Sequence, residues 1–225
     1  MENYYEVQSI VIDKSGSMQG KEFDVKNGLD ETVQEIQKNN PNANVIISAF
    51  NTTVDTIFEG EAKDYKSENV PLIEPNGKTH LYEVVDLSIK KLMKIMNNKD
   101  IKSLYSGGIT TSLTVVTDGH DTSSQSPNAM KESIKKFKAK RGILSFLGAN
   151  QDAIISGNEY GIDQDHSLTF GMGNIQDAMR AASNNTQVNV KRSLTGDNYV
   201  GFSQVQRQQS APLCESDLEL SLIHI

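Results

Sequence analysis

The fold of this chain is decided by the stretch EVQSIVIDKSGSM, which spans Glu6–Met18. Its apolar first half predicts a β-strand from Glu6 to Ile12 that ends at Asp13. A polar loop with a glycine follows, and apolar residues then recur at helical spacing over Glu22–Gln37. A strand that leads through a short polar loop into an amphipathic helix is the first unit of an α/β sheet.

Strands and helices continue to alternate along the rest of the sequence. Further strands are predicted at Asn44–Phe50, Val54–Glu59, Ser112–Thr117, Gly142–Leu147 and Ser167–Phe170. Further helices are predicted at Leu81–Met96, from Pro127 onward, near Asp152–Glu159 and at Ile175–Ser183. The strand at Val54–Glu59 follows its neighbour too closely for a crossover, so we expect it to be antiparallel and at an edge. The predicted fold is a three-layer, doubly wound, Rossmann-like α/β sheet, mostly parallel, with helices on both faces.

Composition excludes several classes of protein. The 225 residues suffice for one α/β domain with a core, and 36% of them are hydrophobic. The net charge of -7, without a dense basic patch, argues against binding to nucleic acid. Apolar runs are too short to span a membrane, and the N-terminal residues lack the pattern of a secretory signal. The single cysteine, Cys214, cannot form a disulfide within the chain, so we expect a cytoplasmic protein.

The sequence predicts one domain at residues 1–190 and a polar C-terminal arm at residues 191–225. The segment Asn184–Gln209 is polar, so we expect irregular structure or a poorly packed arm there, and the stretch QVQRQQS at its end shows no apolar face to bury. The last six residues, LSLIHI at Leu220–Ile225, resemble a translated sequencing adapter. We therefore expect the natural chain to depart from this sequence near Leu220, the alternative being a short apolar tail that docks on the domain, and we assign no function to Cys214 or His224.

Oxygen-bearing side chains lie in several of the loops that adjoin these elements. The candidate residues are Asp13, Ser15, Ser17, Thr79 and Asp118. Three of them alternate in the loop after the first strand, one precedes the long second helix, and one follows a strongly apolar strand. Ligands of doubly wound sheets bind at the carboxyl ends of the strands, so we expect these oxygens to converge at one edge. Carboxylate and hydroxyl oxygens without nitrogen or sulfur suit Mg²⁺ or Mn²⁺ rather than Zn²⁺.

The order and the context of these residues resemble the von Willebrand factor A domain family and its metal-ion-dependent adhesion site. That family combines a DxSxS loop with a distant Thr and a distant Asp, in this order. The positions that match the motif are Asp13, Ser15, Ser17, Thr79 and Asp118. The resemblance covers Tyr4–Ala182, and FLGANQD at Phe146–Asp152 is similar to a microbial, intracellular branch of the family.

The resemblance implies a binding function without catalysis. It implies that the serines and the threonine give neutral oxygens to Mg²⁺ or Mn²⁺, while Asp13 and Asp118 act partly through bound water. One coordination position would then stay open for exchange. A protein partner that presents an Asp or Glu carboxylate would fill that position. The identity of the partner and the oligomeric state are left open by the sequence.

An enzyme and a metal-free scaffold are the alternative interpretations of this pattern. Aspartyl-phosphate phosphatases also carry an Asp after the first strand, but they need an acid two residues later, where this chain has Ser15. NGKT at Asn76–Thr79 suggests a phosphate-binding loop, but the full motif GxxxxGK requires Gly where Leu72 stands. A scaffold would use the serines as helix caps and the Asp-Gly pair as a turn. We do not predict an enzyme.

Overall fold

The computed structural model describes residues 3–149, 157–171 and 173–211. The strands in this part of the chain are β1 (Tyr5–Asp13), β2 (Asn44–Phe50), β3 (Val54–Glu61), β4 (Ile109–Thr117), β5 (Ile143–Ala149) and β6 (Ser167–Phe170). The helices include α1 (Glu22–Asn39), α2 (Leu81–Met96), α3 (Lys99–Leu104), α4 (Asn128–Ala139), α5 (Ile175–Thr195) and α6 (Gln204–Ser210). A short 3-10 turn, Gly16–Met18, follows β1.

These strands form one six-stranded sheet in the order β3-β2-β1-β4-β5-β6. The pairs that involve β1, β4, β5 and β6 are parallel, whereas β3 pairs antiparallel with β2 at the edge. The predicted doubly wound fold with one antiparallel edge strand is thus confirmed. The order of the strands reverses between β1 and β4, and ligands of such sheets bind in the crevice at this reversal.

Helices cover both faces of the sheet and divide the interior into two sides. On the α2/α4 side, the core contains Val7 and Val11 of β1 together with Phe137 of α4. On the α1/α5 side, the core contains Ile10 and Ile12 of β1 together with residues of both helices. Successive residues of a strand point to opposite faces, so β1 supplies both cores from one apolar run. Because it is covered on both faces, the strand holds its terminal residue Asp13 in a fixed place.

The α1/α5 side is apolar toward the carboxyl ends of the strands and polar toward their amino ends. Glu6 and Gln8 are buried on this side, below the isoleucines of β1. The Glu6 carboxylate accepts hydrogen bonds from Gln8 Nε2 at 2.6 Å and from Asn40 Nδ2 at 2.9 Å. The register of β1 and β4 pairs Gln8 with Ser112, which is also buried. Polar groups therefore fill the end of this side that lies away from the β1 and β4 carboxyl ends.

Helix α5 extends from Ile175 to Thr195, well past the predicted end at Ser183. The second half of the helix is polar, yet several of its residues are buried. Asn189 Nδ2 donates to Val200 O, and Val200 N donates to Asn189 Oδ1, both at 2.9 Å. Because this amide pairs with backbone groups of the following loop, it can be buried without an unsatisfied donor or acceptor. The sequence-based prediction was wrong here because it counted only apolar residues as buried ones.

Helix α6 is the second departure from the irregular segment predicted at Asn184–Gln209. The helix begins with a capping box in which Ser203 and Gln206 bond to each other's backbone N–H groups. The Arg207 guanidinium donates to the carbonyl oxygen of Ser167 at 2.8 Å. The segment therefore packs through hydrogen bonds rather than through an apolar face. The division into a domain of residues 1–190 and an arm stays a prediction.

Several predicted features lie outside the described residues. They include most of the helix predicted near Asp152–Glu159, the end of the FLGANQD stretch, Cys214, and the LSLIHI terminus with His224. Helix α3 was not predicted, since it has only 6 residues. The Asn98 side chain caps it by accepting from the N–H groups of Asp100 and Ile101. Within the described residues, no helix is both long enough and apolar enough to cross a membrane.

Candidate functional site

Asp13 ends β1 and is only 1% exposed. Its Oδ1 atom accepts a hydrogen bond from the backbone N–H of Ser15 at 2.7 Å, and its Oδ2 atom accepts one from the Thr117 hydroxyl at 2.6 Å. Burial raises the pKa of Asp13, the hydrogen bonds from Thr117 and Ser15 lower it, and the nearby charge of Asp118 raises it further. The net direction is upward. One carboxylate oxygen is held by the loop after β1 and the other by β4.

The loop after β1 directs two hydroxyl groups toward the loop after β4. Ser15 is buried and Ser17 is exposed, and their Oγ atoms lie 3.1 Å apart. The Ser17 hydroxyl donates to Asp118 Oδ1 at 2.6 Å. The 3-10 turn at Gly16–Met18 produces this arrangement, because it folds the alternate residues Ser15 and Ser17 back toward β4. Residues far apart in the sequence are thus linked at the reversal of strand order.

Thr79 lies at the same edge, in a loop where both its backbone N–H and its backbone carbonyl are hydrogen-bonded. The backbone N–H of Thr79 donates to the Thr122 hydroxyl at 2.9 Å, and the N–H of Thr122 donates back to the Thr79 carbonyl at 2.8 Å. Earlier in this loop, Gly16 N donates to Gly77 O at 3.2 Å. A Cβ atom placed on Gly119 would lie 3.6 Å from both Ser17 Oγ and Thr79 Oγ1. The Thr79 hydroxyl therefore lies beside the loops of β1 and β4.

Lys21 is, with Thr117, one of the residues at this edge that the sequence-based prediction missed. It lies just before α1, and its ammonium group forms an ion pair with Asp118 Oδ2. The same ammonium group donates to the backbone carbonyl of Ser17 at 2.8 Å. The side chains of Lys21 and Asp118 are 15% and 4% exposed. The position of Lys21, four residues after Ser17, could have suggested the contact with the Ser17 carbonyl but not the ion pair with Asp118.

Asp121 and His80 lie next to the site but serve other contacts. Asp121 Oδ1 accepts from the N–H of Tyr82 at 3.0 Å, which satisfies a free donor at the start of α2. The other Asp121 oxygen accepts from the N–H of Ser123 at 2.8 Å. His80 Nδ1 lies 3.9 Å from a Glu83 carboxylate oxygen. These residues shape the rim of the site rather than its centre.

The donor set fits a small, hard cation. Carboxylate and hydroxyl oxygens are the ligands that Mg²⁺ and Mn²⁺ prefer, and no side-chain nitrogen or sulfur belongs to the set. Since Gly119 has no side chain, nothing from this residue fills the space beside Ser17 and Thr79. No group of three or more His, Cys, Asp or Glu side chains is placed to hold a metal within the described ranges. A metal at this edge would therefore depend on hydroxyl groups as well as on the two carboxylates.

Comparison with known families accounts for the fold of the chain. A family model described as the von Willebrand factor type A domain matches residues 9–189. The chain belongs to this family. Domains of the von Willebrand factor type A family commonly mediate protein interactions. No curated protein sequence matches the chain.

Solved structures share the fold of this von Willebrand factor type A domain at low sequence identity. A von Willebrand factor type A protein from Catenulispora acidiphila has a TM-score of 0.62 at 15% identity over 82% of this chain. The pilus adhesin SpaC from Lactobacillus rhamnosus GG has a TM-score of 0.59 at 15% identity over 86% of the chain. Proximal thread matrix protein 1 from the mussel byssus has a TM-score of 0.62 at 14% identity over 81% of the chain. The matches span 43%, 32% and 48% of those chains, so the likeness concerns the domain fold.

Proposed function

We propose that this chain is a non-catalytic binding module that holds Mg²⁺ or Mn²⁺ at the β1/β4 edge and captures a carboxylate of a protein partner there. The observation that carries the proposal is the convergence of five oxygen-bearing side chains at the reversal of strand order. They are Asp13, Ser15, Ser17, Thr79 and Asp118. The adhesin and the matrix protein among the structures of similar fold lend support to a partner that is a protein.

The residues of this site would contribute to metal binding in two ways, as neutral oxygen ligands and as negative charges. The hydroxyl groups of Ser15, Ser17 and Thr79 would hold the ion without neutralising it, because they carry no charge. Asp13 and Asp118 supply the negative charge, and Asp13 is already oriented by Thr117 and by the Ser15 N–H. When bound, the divalent ion would supply an exchangeable coordination position that an Asp or Glu side chain can fill.

We also propose that the chain acts in the cytoplasm of a microbial cell. The proposal rests on the single cysteine, which offers no disulfide within the chain, and on the similarity of FLGANQD to an intracellular branch of the family. Binding to nucleic acid or to membranes is not part of the proposed function, because the net charge is -7 and the partner chemistry is that of a protein carboxylate.

Metal binding is tested first, by thermal unfolding of the full chain in millimolar Mg²⁺ or Mn²⁺ and in EDTA. At a hundredfold excess of metal over Kd the stabilisation is about 2.7 kcal/mol, which corresponds to a rise in Tm of roughly 5–10 °C. Asp13→Ala should abolish this rise. Asp55→Ala is the matched control, since Asp55 lies on the edge strand β3 and pairs with Lys14 outside the donor set. Equal Tm values with metal and with EDTA would contradict the metal site.

Partner capture is tested next, with the immobilised chain and an extract of the source cell. A partner held through the metal is retained in Mg²⁺, is released by EDTA, and is not retained by Asp13→Ala. Ser15→Asp adds a carboxylate to the donor set, so the ion should attract the partner's carboxylate less strongly. Retention that survives both substitutions would show that the contact lies elsewhere on the chain.

The enzyme alternative is separated by a phosphatase assay with and without Mg²⁺. A phosphatase of the aspartyl-phosphate type uses its strand-end Asp as a nucleophile, with a second acid as proton donor. In this chain both Asp13 oxygens accept hydrogen bonds, and Ser15 stands where the second acid is needed. We therefore expect no metal-dependent release of phosphate from an aryl phosphate. Turnover that Asp13→Ala abolishes would favour the enzyme.

A further inference from the structure

We infer that the ammonium group of Lys21 pairs with the Asp118 carboxylate when no divalent ion is bound, so that Lys21 competes with the metal for the site. The inference deepens the proposed function and rests on it, because the competition requires the metal site to exist. The ammonium group of Lys21 bonds to Asp118 Oδ2 and to the Ser17 carbonyl, and both residues belong to the loops that carry the donor set.

The local structure of α1 does not explain why a lysine is placed here. Lys21 is the N-cap residue of α1, and its side chain makes no capping hydrogen bond. Ser, Thr, Asp and Asn are preferred at this position, and a positive charge near the N-terminus of a helix is unfavourable by about 0.3–1 kcal/mol. The side chain is nevertheless only 15% exposed. The contacts with Asp118 and Ser17 are what hold the ammonium group in place.

The two carboxylates of the site differ in what they contact. Asp13 accepts only from neutral donors among the described contacts, the Ser15 N–H and the Thr117 hydroxyl. Asp118 accepts from the Ser17 hydroxyl on one oxygen and from the Lys21 ammonium group on the other. Lys21 therefore brings one positive charge onto one of the two negative groups that a divalent ion needs.

A second lysine of the same region shows that this placement is specific. Lys14 lies in the loop between Asp13 and Ser15, but its ammonium group pairs with Asp55 on β3. It therefore does not contact the donor set through its charge. Of these two lysines, only Lys21 lies where a bound divalent ion would either displace its ammonium group or be repelled by it. In both cases its charge lowers the affinity of the site for the metal.

The test is the Kd of Mg²⁺ and of Mn²⁺, measured by titration calorimetry on the full chain and its Lys21→Met variant. Methionine keeps a flexible apolar side chain and removes the charge. We expect the Kd to fall about tenfold, which corresponds to about 1.4 kcal/mol of ion-pair energy that no longer opposes binding. In EDTA, Lys21→Met should melt at a lower temperature than the wild-type chain, because Asp118 is left buried without its cation.

Lys26→Met is the matched control. Lys26 lies in α1, the helix that Lys21 precedes, and forms an ion pair with Asp30 in which the side chains are 14% and 18% exposed. Its loss should lower the Tm in EDTA and leave the Kd for the metal unchanged. Lys21→Arg keeps the charge, so its Kd should stay near the wild-type value.

The outcomes separate this inference from the proposed function. A Kd that is unchanged or higher in Lys21→Met, with clear binding to the wild-type chain, would overturn the role of Lys21 and leave the metal site intact. The same conclusion follows if Lys26→Met lowers the Kd as much as Lys21→Met does. If neither the wild-type chain nor Lys21→Met binds the metal, then the proposed function and this inference both fail.

Discussion

The two sides of the sheet are built from different chemistry. The α2/α4 side is mostly apolar, with side chains from β1, β4 and β5 packed against both helices. The α1/α5 side is apolar near the site and polar farther away. Its buried polar residues on the sheet include Glu6, Gln8, Ser112, Thr114 and Ser145. One sheet therefore has a side that stabilises the fold through apolar burial and a side where polar pairing matters as well.

Buried hydroxyl groups without a hydrogen-bond partner among the described residues are more numerous on the polar side. Among the described residues, buried hydroxyl oxygens without a hydrogen bond include those of Thr110, Ser145, Ser183 and Thr186. Each such group costs about 1–3 kcal/mol compared with a satisfied one. The side therefore contributes less to the free energy of unfolding than its buried area suggests. The same buried area therefore contributes different amounts to the free energy of unfolding on the two sides of the sheet.

The largest expected effect belongs to the apolar side. Phe137 of α4 is fully buried, so Phe137→Ala removes the ring and leaves a cavity, and it should lower the free energy of unfolding by about 3–5 kcal/mol. Urea unfolding measures this difference. Phe23→Ala is the control, because Phe23 is 69% exposed and its loss should change stability by less than about 0.5 kcal/mol. Similar losses in both variants would mean that the α2/α4 side is not the main source of stability.

A smaller effect is expected when α6 is removed from the polar side. A chain that ends at Phe202 loses the bonds of Arg207 to Ser167 and of Ser210 O to Gly171 N. After the entropy of ordering the segment is subtracted, we expect a loss of about 2 kcal/mol, or roughly 4–8 °C in Tm. A chain that ends at Ala211 keeps α6 and should melt like the full chain. Equal melting of the two truncated chains would restore the earlier expectation of a poorly packed arm.

The smallest effect has the opposite sign. Thr186 on α5 is buried and its hydroxyl lacks a partner, so Thr186→Val should raise the free energy of unfolding by about 1 kcal/mol. Asn189→Ala, on the same helix, should instead lower it, since the Asn189 side chain bonds to both backbone groups of Val200. Thermal unfolding of both variants distinguishes satisfied from unsatisfied polar groups. A loss of stability in Thr186→Val would show that its hydroxyl has a partner after all.

The same contrast explains how far the sequence could be interpreted. The bounds of β2, α2 and β6 agree with the predicted ones because apolar residues define those elements. The second half of α5 was not predicted, because Asn189 and its neighbours are buried through hydrogen bonds, which leave no periodic apolar signal. Polar burial depends on partners that are distant in the sequence, and a local pattern does not contain them.

The candidate site shows the same division. Its five residues follow strands or precede a helix, so their convergence could be predicted from the order of elements alone, and the structure brings them to one edge. Their role as metal ligands stays a prediction. Lys21 and Thr117 could not be identified in this way, because their importance lies in contacts with Asp118 and Asp13 across the strands.

The pair of hydrogen bonds between Thr79 and Thr122 has a kinetic consequence. A loop residue whose N–H and C=O are both bonded to the same neighbour has lost its backbone freedom before any ligand arrives. The entropy of ordering, about 1–2 kcal/mol per residue, is then not subtracted from the free energy of binding. A partner that contacts Thr79 would therefore meet a loop residue that is already ordered. The association rate constant of the partner should accordingly lie in the range of about 10⁵–10⁷ M⁻¹s⁻¹ that is typical of specific protein pairs. Binding should show no slow phase that is independent of partner concentration.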